Sequence, residues 1–255
     1  MITVKSQREL DCMKRAGEVV ARVHLRMEEL VAPGVTTAEL NQAALEIIQG
    51  AGAIPSFLGY PSPYGGVNFP GAICASVNEE VIHGFPGPRV LQEGDIISVD
   101  VGAILDGWHG DAARTFPVGQ VSEQAARLIA VTRESFEAGM AMALAGNRIR
   151  DISEAVQQVV ERNGFTVVRD YVGHGIGTDM HEEPQIPNYA GRERGPRLAE
   201  GMTICIEPMV NIGTHRVDLL QDKWTVVTAD RTYSAHHENT LAITANGPMI
   251  LTRLW

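Results

Sequence analysis

Long apolar runs, paired cysteines and an excess of basic residues are all missing from this 255-residue chain, and each absence excludes something. No stretch approaches the roughly 20 apolar residues of a membrane-spanning helix. Charges scattered through MITVKSQRELDCMKRAGEVV leave no place for the apolar core of a signal peptide. Cys12, Cys74 and Cys205 form no CxxC, which predicts a reducing, cytoplasmic setting rather than a disulfide scaffold. A formal charge of -10 disfavours nucleic acid and anionic membranes as partners, since both favour basic surfaces. HExxH, the GxSxG nucleophile elbow and the GxxxxGK[ST] phosphate loop are missing too. What remains, 44% hydrophobic and 20% charged, is a globular chain long enough for one large domain or two small ones.

The most telling stretch present is GDIISVDVGAILDGWHGDAARTF, Gly94 to Phe116. Asp106-Gly107 between two arms predicts a two-residue hairpin turn. That turn sets Asp100 opposite Ala113 and puts Asp111 on the same face as Asp100. Diagonal neighbours of this kind sit roughly 7–8 Å apart at the backbone, so two short carboxylates can converge. Like charges aimed at one point repel unless a proton or a metal lies between them.

Before the hairpin, capping boxes at Ser6–Glu9 and Thr36–Glu39 open two amphipathic helices. The first carries Leu10, Met13, Gly17, Val20, Val23, Met27 and Leu30 on one face; the second carries Leu40, Ala43, Ala44, Ile47 and Ile48. Residues 54 to 70 read as a long glycine- and proline-rich loop, of the kind that often serves function. Residues 73 to 82 read as a strand ending at His83-Gly84. After the hairpin, helical runs begin at Ser122 and span Asp151 to Asn163.

The second half repeats the first. An offset of 112 carries Gly34 onto Gly146, Gly52 onto Gly164, and the apolar face of the second helix onto Ile152, Ala155, Val156, Val159 and Val160. An offset of 107 carries LQEGDIISVD, ending at Asp100, onto LAEGMTICIE, ending at Glu207. This predicts a single α+β domain of two pseudo-repeats, about 1–120 and 121–255, with Asp100 and Glu207 approaching a shared centre from opposite halves.

Two further groups join them. His174 lies in the glycine-rich GHGIG, followed by His181-Glu182-Glu183-Pro184, and Glu238 precedes the strand NTLAIT. Singly, these residues read as an exposed turn histidine, a strand end and an edge carboxylate. Together, four carboxylates and one imidazole on apolar strands or glycine turns suit two divalent metals a few ångströms apart.

VNEEVIHG, SVDVGAILDGWHGDAARTF, GHGIGTDMHEEPQ, GMTICIEPMVN and ENTLAI, in that order, resemble the bacterial type I methionine aminopeptidases over nearly the whole chain. The resemblance implies the pita-bread fold, helix pairs on a curved antiparallel sheet. It implies Asp100, Asp111, His174, Glu207 and Glu238 as ligands of two divalent ions (cobalt, manganese, iron or zinc), Asp111 and Glu238 bridging. The implied reaction is attack of a metal-activated hydroxide on the first peptide bond of a nascent protein, releasing the initiator methionine when the second residue is small. His181 would steady the carbonyl oxygen, His83 would contact the scissile nitrogen, and Glu207 would relay the proton. Tyr60, Phe69, Cys74, Met180 and Trp224 would line the methionine pocket. Expected partners are nascent N-terminal peptides and, transiently, the ribosome, with the enzyme a monomer.

The chain departs from the family pattern at several positions. Gly102 stands where many members have threonine, Met180 where an aromatic is frequent, and Asn239 where histidine is usual. His236 and His237 replace a glutamine and an aromatic, and the Tyr60–Cys74 loop is longer than in many members. Two other readings keep the fold: a proline-specific aminopeptidase or prolidase, which usually carries a further N-terminal domain, and a non-catalytic binding module, which has usually lost ligands.

Overall fold

The computed structural model describes residues 1–254, and these form four helices and fifteen strands. Helices α1 (Gln7–Leu30) and α2 (Thr37–Gly50) each start at a reciprocal capping box. Glu9 accepts the Ser6 N–H at 2.7 Å while Ser6 Oγ accepts the Glu9 N–H at 3.4 Å; Glu39 and Thr36 repeat this at 2.7 and 3.2 Å. Strands β1 (Ile54–Pro55), β2 (Ile73–Val77), β3 (Glu80–Ile82), β4 (Ile96–Leu105) and β5 (Trp108–Pro117) follow. The second half opens with α3 (Glu123–Ala141) and α4 (Ile149–Arg162). It continues with β6 (Thr166–Val167), β7 (Gly173–Gly175), β8 (Glu182–Ile186), β9 (Thr203–Ile206), β10 (Met209–Asn211), β11 (Val217–Leu219), β12 (Val226–Thr228), β13 (Ser234–His236), β14 (Asn239–Thr244) and β15 (Gly247–Ile250).

Every named strand pair is antiparallel, and the ladders form four sheets. In the first, β1, β2 and β5 all pair with β4. A five-stranded sheet runs β15-β14-β9-β7-β8. The helices supply the other layer. Val19, Val20, Val23 and Met27 of α1 and Leu40, Ala44 and Ile48 of α2 share one core with Val99, Val101 and Ala112 of the hairpin. Full burial of such aliphatic side chains contributes roughly 1.5–3 kcal/mol each. Helix α1 approaches β5 closely at a pair of glycines: a Cβ on Gly110 would sit 2.8 Å from the Gly17 nitrogen.

The hairpin has the expected register, with Asp100 opposite Ala113 and Gly102 opposite Asp111. Asp106 and Gly107 have φ of 51° and 82°, the left-handed pair that a type I′ turn requires. Gly34 and Gly146 have φ of 95° and 93°, and each donates its N–H at 2.9 Å, to Leu91 and to Leu198 respectively. Isolated bridges join Thr36 to Val90 and Arg148 to Arg197.

Three local expectations need correction. The strand expected over 73–82 is two strands, because Asn78 turns into the left-handed region (φ 59°). Its side chain is held there, donating to Asp95 at 2.8 Å and accepting the Ile96 N–H at 3.0 Å. The loop over 54–70 begins with β1, which pairs Ile54 and Pro55 with Ile104 and Ala103. Helix α4 begins at Ile149, two residues before the expected start, because Asp151 accepts the Arg148 N–H at 2.7 Å and so belongs to the first turn.

Candidate metal centre and its relatives

The centre is assembled from strand ends. Asp100 and Asp111 come from β4 and β5, His174 from the middle of β7, Glu207 from the residue after β9, and Glu238 from the link between β13 and β14. Contacts between β5 and the β13–β14 segment fasten these strand ends together. Glu238 N–H donates to the Ala113 carbonyl at 2.9 Å, and Thr240 Oγ1 both accepts from Asp111 N–H (3.1 Å) and donates to Asp111 O (2.9 Å). The Arg114 guanidinium also donates to the Glu238 carbonyl and, at 2.6 Å, to Asn239 Oδ1.

His174 Nε2 lies 3.6 Å from Asp111 Oδ2 and 3.5 Å from Glu207 Oε1, and its Nδ1 is 2.9 Å from the Gly175 carbonyl. That contact fixes the tautomer with the proton on Nδ1 and leaves the Nε2 lone pair facing the carboxylates. The exposed-turn alternative for this histidine is thereby excluded: it is buried within a strand. Glu238 is buried as well, at 2% exposure, and is not a solvent-facing edge residue.

Electrostatics make the four carboxylates unstable as they stand. Burial, then mutual repulsion, pushes Asp100, Glu207 and Glu238 well above the usual carboxylate range; burial raises Asp111 to about 7. Asp100 Oδ1, Asp111 Oδ1 and Glu238 Oε1 are buried with no hydrogen-bond partner in the protein. Orphaned oxygens of this kind, beside an imidazole lone pair, fit divalent cations.

Donor atoms of Asp111, His174, Cys205 and Glu238 all lie within 4.8 Å of one another. Cys205 is a neighbour that reading ICIE as an apolar strand missed; only its two-residue parity with Glu207 could have signalled it. Burial and the surrounding carboxylates push its thiol well up, so it stays protonated, 3.5 Å from Thr240 Oγ1.

A cavity of about 820 Å³ opens over this centre. Asp100, Asp111, His174, Glu207 and Glu238 line it, as do His83, His181, Tyr60, Phe69, Cys74, Met180 and Trp224. Cys74 faces Asp100 directly across the β2–β4 ladder, so the apolar end of the cavity adjoins the carboxylates. The Phe69 ring packs edge-on against Trp224 at 5.1 Å, Phe85 at 5.3 Å and Phe57 at 6.4 Å. Phe57, Ile82 and Tyr171 also line the cavity and had no distinguishing sequence pattern. His181 Nδ1 is 3.0 Å from the Tyr60 hydroxyl, and its ring lies 4.5 Å from that of His174. His83 adopts a left-handed φ of 61° and packs edge-on to Trp224 and Tyr171. Burial lowers both histidines to about 4, so both are neutral at pH 7.

Residues 11–245 match the model of metallopeptidase family M24. The chain belongs to that family. Among M24 relatives, the methionine aminopeptidase of Clostridium acetobutylicum is 54% identical over 253 residues, covering 99% of each chain. Methionine aminopeptidase 1 of Bacillus subtilis is 51% identical over the full length of both. The crystal structure of methionine aminopeptidase from Thermotoga maritima superposes with a TM-score of 0.95 at 45% identity, covering all of both chains. The M24 fold is the pita-bread fold. The Pyrococcus furiosus prolidase shares it at 20% identity with a TM-score of 0.79, a likeness of fold alone.

Proposed function

We propose that this M24 chain is a metal-dependent methionyl aminopeptidase, removing the initiator methionine from nascent proteins whose second residue is small. The observation that carries the proposal is that a buried carboxylate–imidazole centre and a cluster of apolar side chains line one cavity. High identity to relatives named methionine aminopeptidase supports the substrate. The two halves, residues 1–120 and 121–255, are read as pseudo-repeats of one domain with the site between them.

Asp100, Asp111, His174, Glu207 and Glu238 would hold two divalent cations; cobalt, manganese, iron and zinc all suit such a donor set. Bound there, divalent cations lower the pKa of water and offset developing negative charge. The chain supplies the rest. If the Tyr60 hydroxyl donates to His181 Nδ1, the Nε2–H of His181 is free to donate to the scissile carbonyl oxygen as it becomes anionic. His83 meets the scissile nitrogen. Glu207 would take a proton from the attacking water and return it to the leaving amine. Tyr60, Phe69, Cys74, Met180 and Trp224 exclude branched side chains by shape. The setting is the cytoplasm, with a monomeric enzyme touching the ribosome transiently; among the described residues no helix is long and apolar enough to cross a membrane.

The test is competition between a Met-Ala-Ser peptide and a Xaa-Pro peptide in the presence of divalent metal. Methionine release at the higher kcat/KM is expected. Preference for the Xaa-Pro bond overturns the proposal.

A further inference from the structure

Glu207 stands between two imidazoles. On the side away from His174, His236 Nε2 lies 3.9 Å from Glu207 Oε2 and 3.9 Å from Glu238 Oε2. His236 is 2% exposed, and its Nε2 has no hydrogen-bond partner in the protein. Its backbone is fixed: Thr115 Oγ1 accepts the His236 N–H and donates to the His236 carbonyl, both at 2.9 Å, and β13 pairs it with Met209. Being two residues apart along an extended segment, His236 and Glu238 project to the same side.

A buried ring nitrogen without a partner is destabilising. Two roles suit one aimed between carboxylates: another ligand, or a donor standing behind the ligands. The geometry favours the second. His174 meets Glu207 through Oε1, whereas His236 faces the other oxygen, Oε2. A shift of about 1 Å brings Glu207 Oε2 into hydrogen-bonding range of His236 Nε2.

We propose that His236 is a positioning residue for the metal centre, its Nε2–H donating to Glu207 Oε2 and so fixing which oxygen Glu207 presents to the cation. This rests on the metal-centre reading above. Ligating carboxylates that lose such an outer partner typically lose about 10–100-fold in metal affinity.

The test uses the full chain, stripped of metal and titrated with zinc against a chromophoric chelator. His236→Leu keeps much of the volume and removes the donor; His236→Gln keeps an N–H donor. Leucine should weaken zinc binding about 10–100-fold, with glutamine close to wild type. Unchanged affinity in the leucine variant, or an equal loss in the glutamine variant, overturns the proposal. A second measurement does not depend on the leucine variant folding. In zinc-loaded wild type labelled with ¹⁵N-histidine, the imidazole signal that His236→Gln removes should show a proton on Nε2. A bare Nε2 would make His236 a ligand and overturn the donor role. Wild type that binds no zinc defeats the metal-centre reading itself; wild type that binds while the leucine variant matches it defeats only the role of His236.

Discussion

The hydroxyl of Thr240 clasps the backbone of Asp111, accepting its N–H at 3.1 Å and donating to its carbonyl at 2.9 Å. One hydroxyl thus ties β14 to the residue of β5 expected to bridge the metals. Thr240→Val keeps the shape and leaves both Asp111 groups buried without that partner. The expected loss is about 1–3 kcal/mol of stability by urea unfolding, with weaker metal uptake by the folded variant.

Asp111→Asn tests the carboxylate itself. Metal occupancy, by elemental analysis after dialysis, and methionine release should fall together, each by more than about 100-fold, beyond the usual effect of an outer-shell partner. Full turnover in this variant would refute the site.

Stability without metal should have an unusual pH profile. Carboxyls whose folded pKa is raised contribute stability that is present below their unfolded values and lost as pH rises through the folded ones. Asp111, raised to about 7, and Asp100, Glu207 and Glu238, raised well above the usual carboxylate range, therefore predict a contribution that falls as pH rises from their ordinary values, 3.8 and 4.5, through about 7. Buried His24 and His236, lowered to about 3, act oppositely. Their contribution is full above the ordinary value of 6.5 and is lost as pH falls towards 3. Urea unfolding of the chelated chain should show the carboxyl contribution shrinking as pH rises towards 7, and saturating divalent metal should abolish that loss.

Gly102 is explained by its neighbours. A Cβ there would lie 2.7 Å from Ser56 Cβ and 3.0 Å from the Phe57 ring. Ser56 is itself fixed, its N–H donating to the Gly102 carbonyl at 2.9 Å and its Oγ 3.0 Å from His109 Nδ1. Gly102→Thr should cost about 1–3 kcal/mol through overpacking. Adding Ser56→Gly should recover part of that cost, a non-additivity that thermal unfolding can measure.

Much of this architecture could be read from the sequence because it is local. Asp106-Gly107 dictates the turn, the turn dictates the register, and the register places Asp100 and Asp111 on one face. The capping boxes at Ser6 and Thr36 are local in the same way. Contacts between distant segments could not be read so. Nothing in GAI at 102–104 signals that Ser56 fills the space beside Gly102, and nothing in SAHHEN aims His236 at Glu207 across the sheet. Asn78 breaks an apparently continuous strand because Asp95 and Ile96, seventeen and eighteen residues on, hold its side chain.

The most direct measurement is methionine release from a Met-Ala-Ser peptide by the metal-stripped chain as divalent metal is added back. Negligible release without metal, rising to a plateau as up to two ions per chain are bound and abolished by Asp111→Asn, is the predicted result. Release by the stripped chain at the full rate, or none at any metal loading, would contradict it.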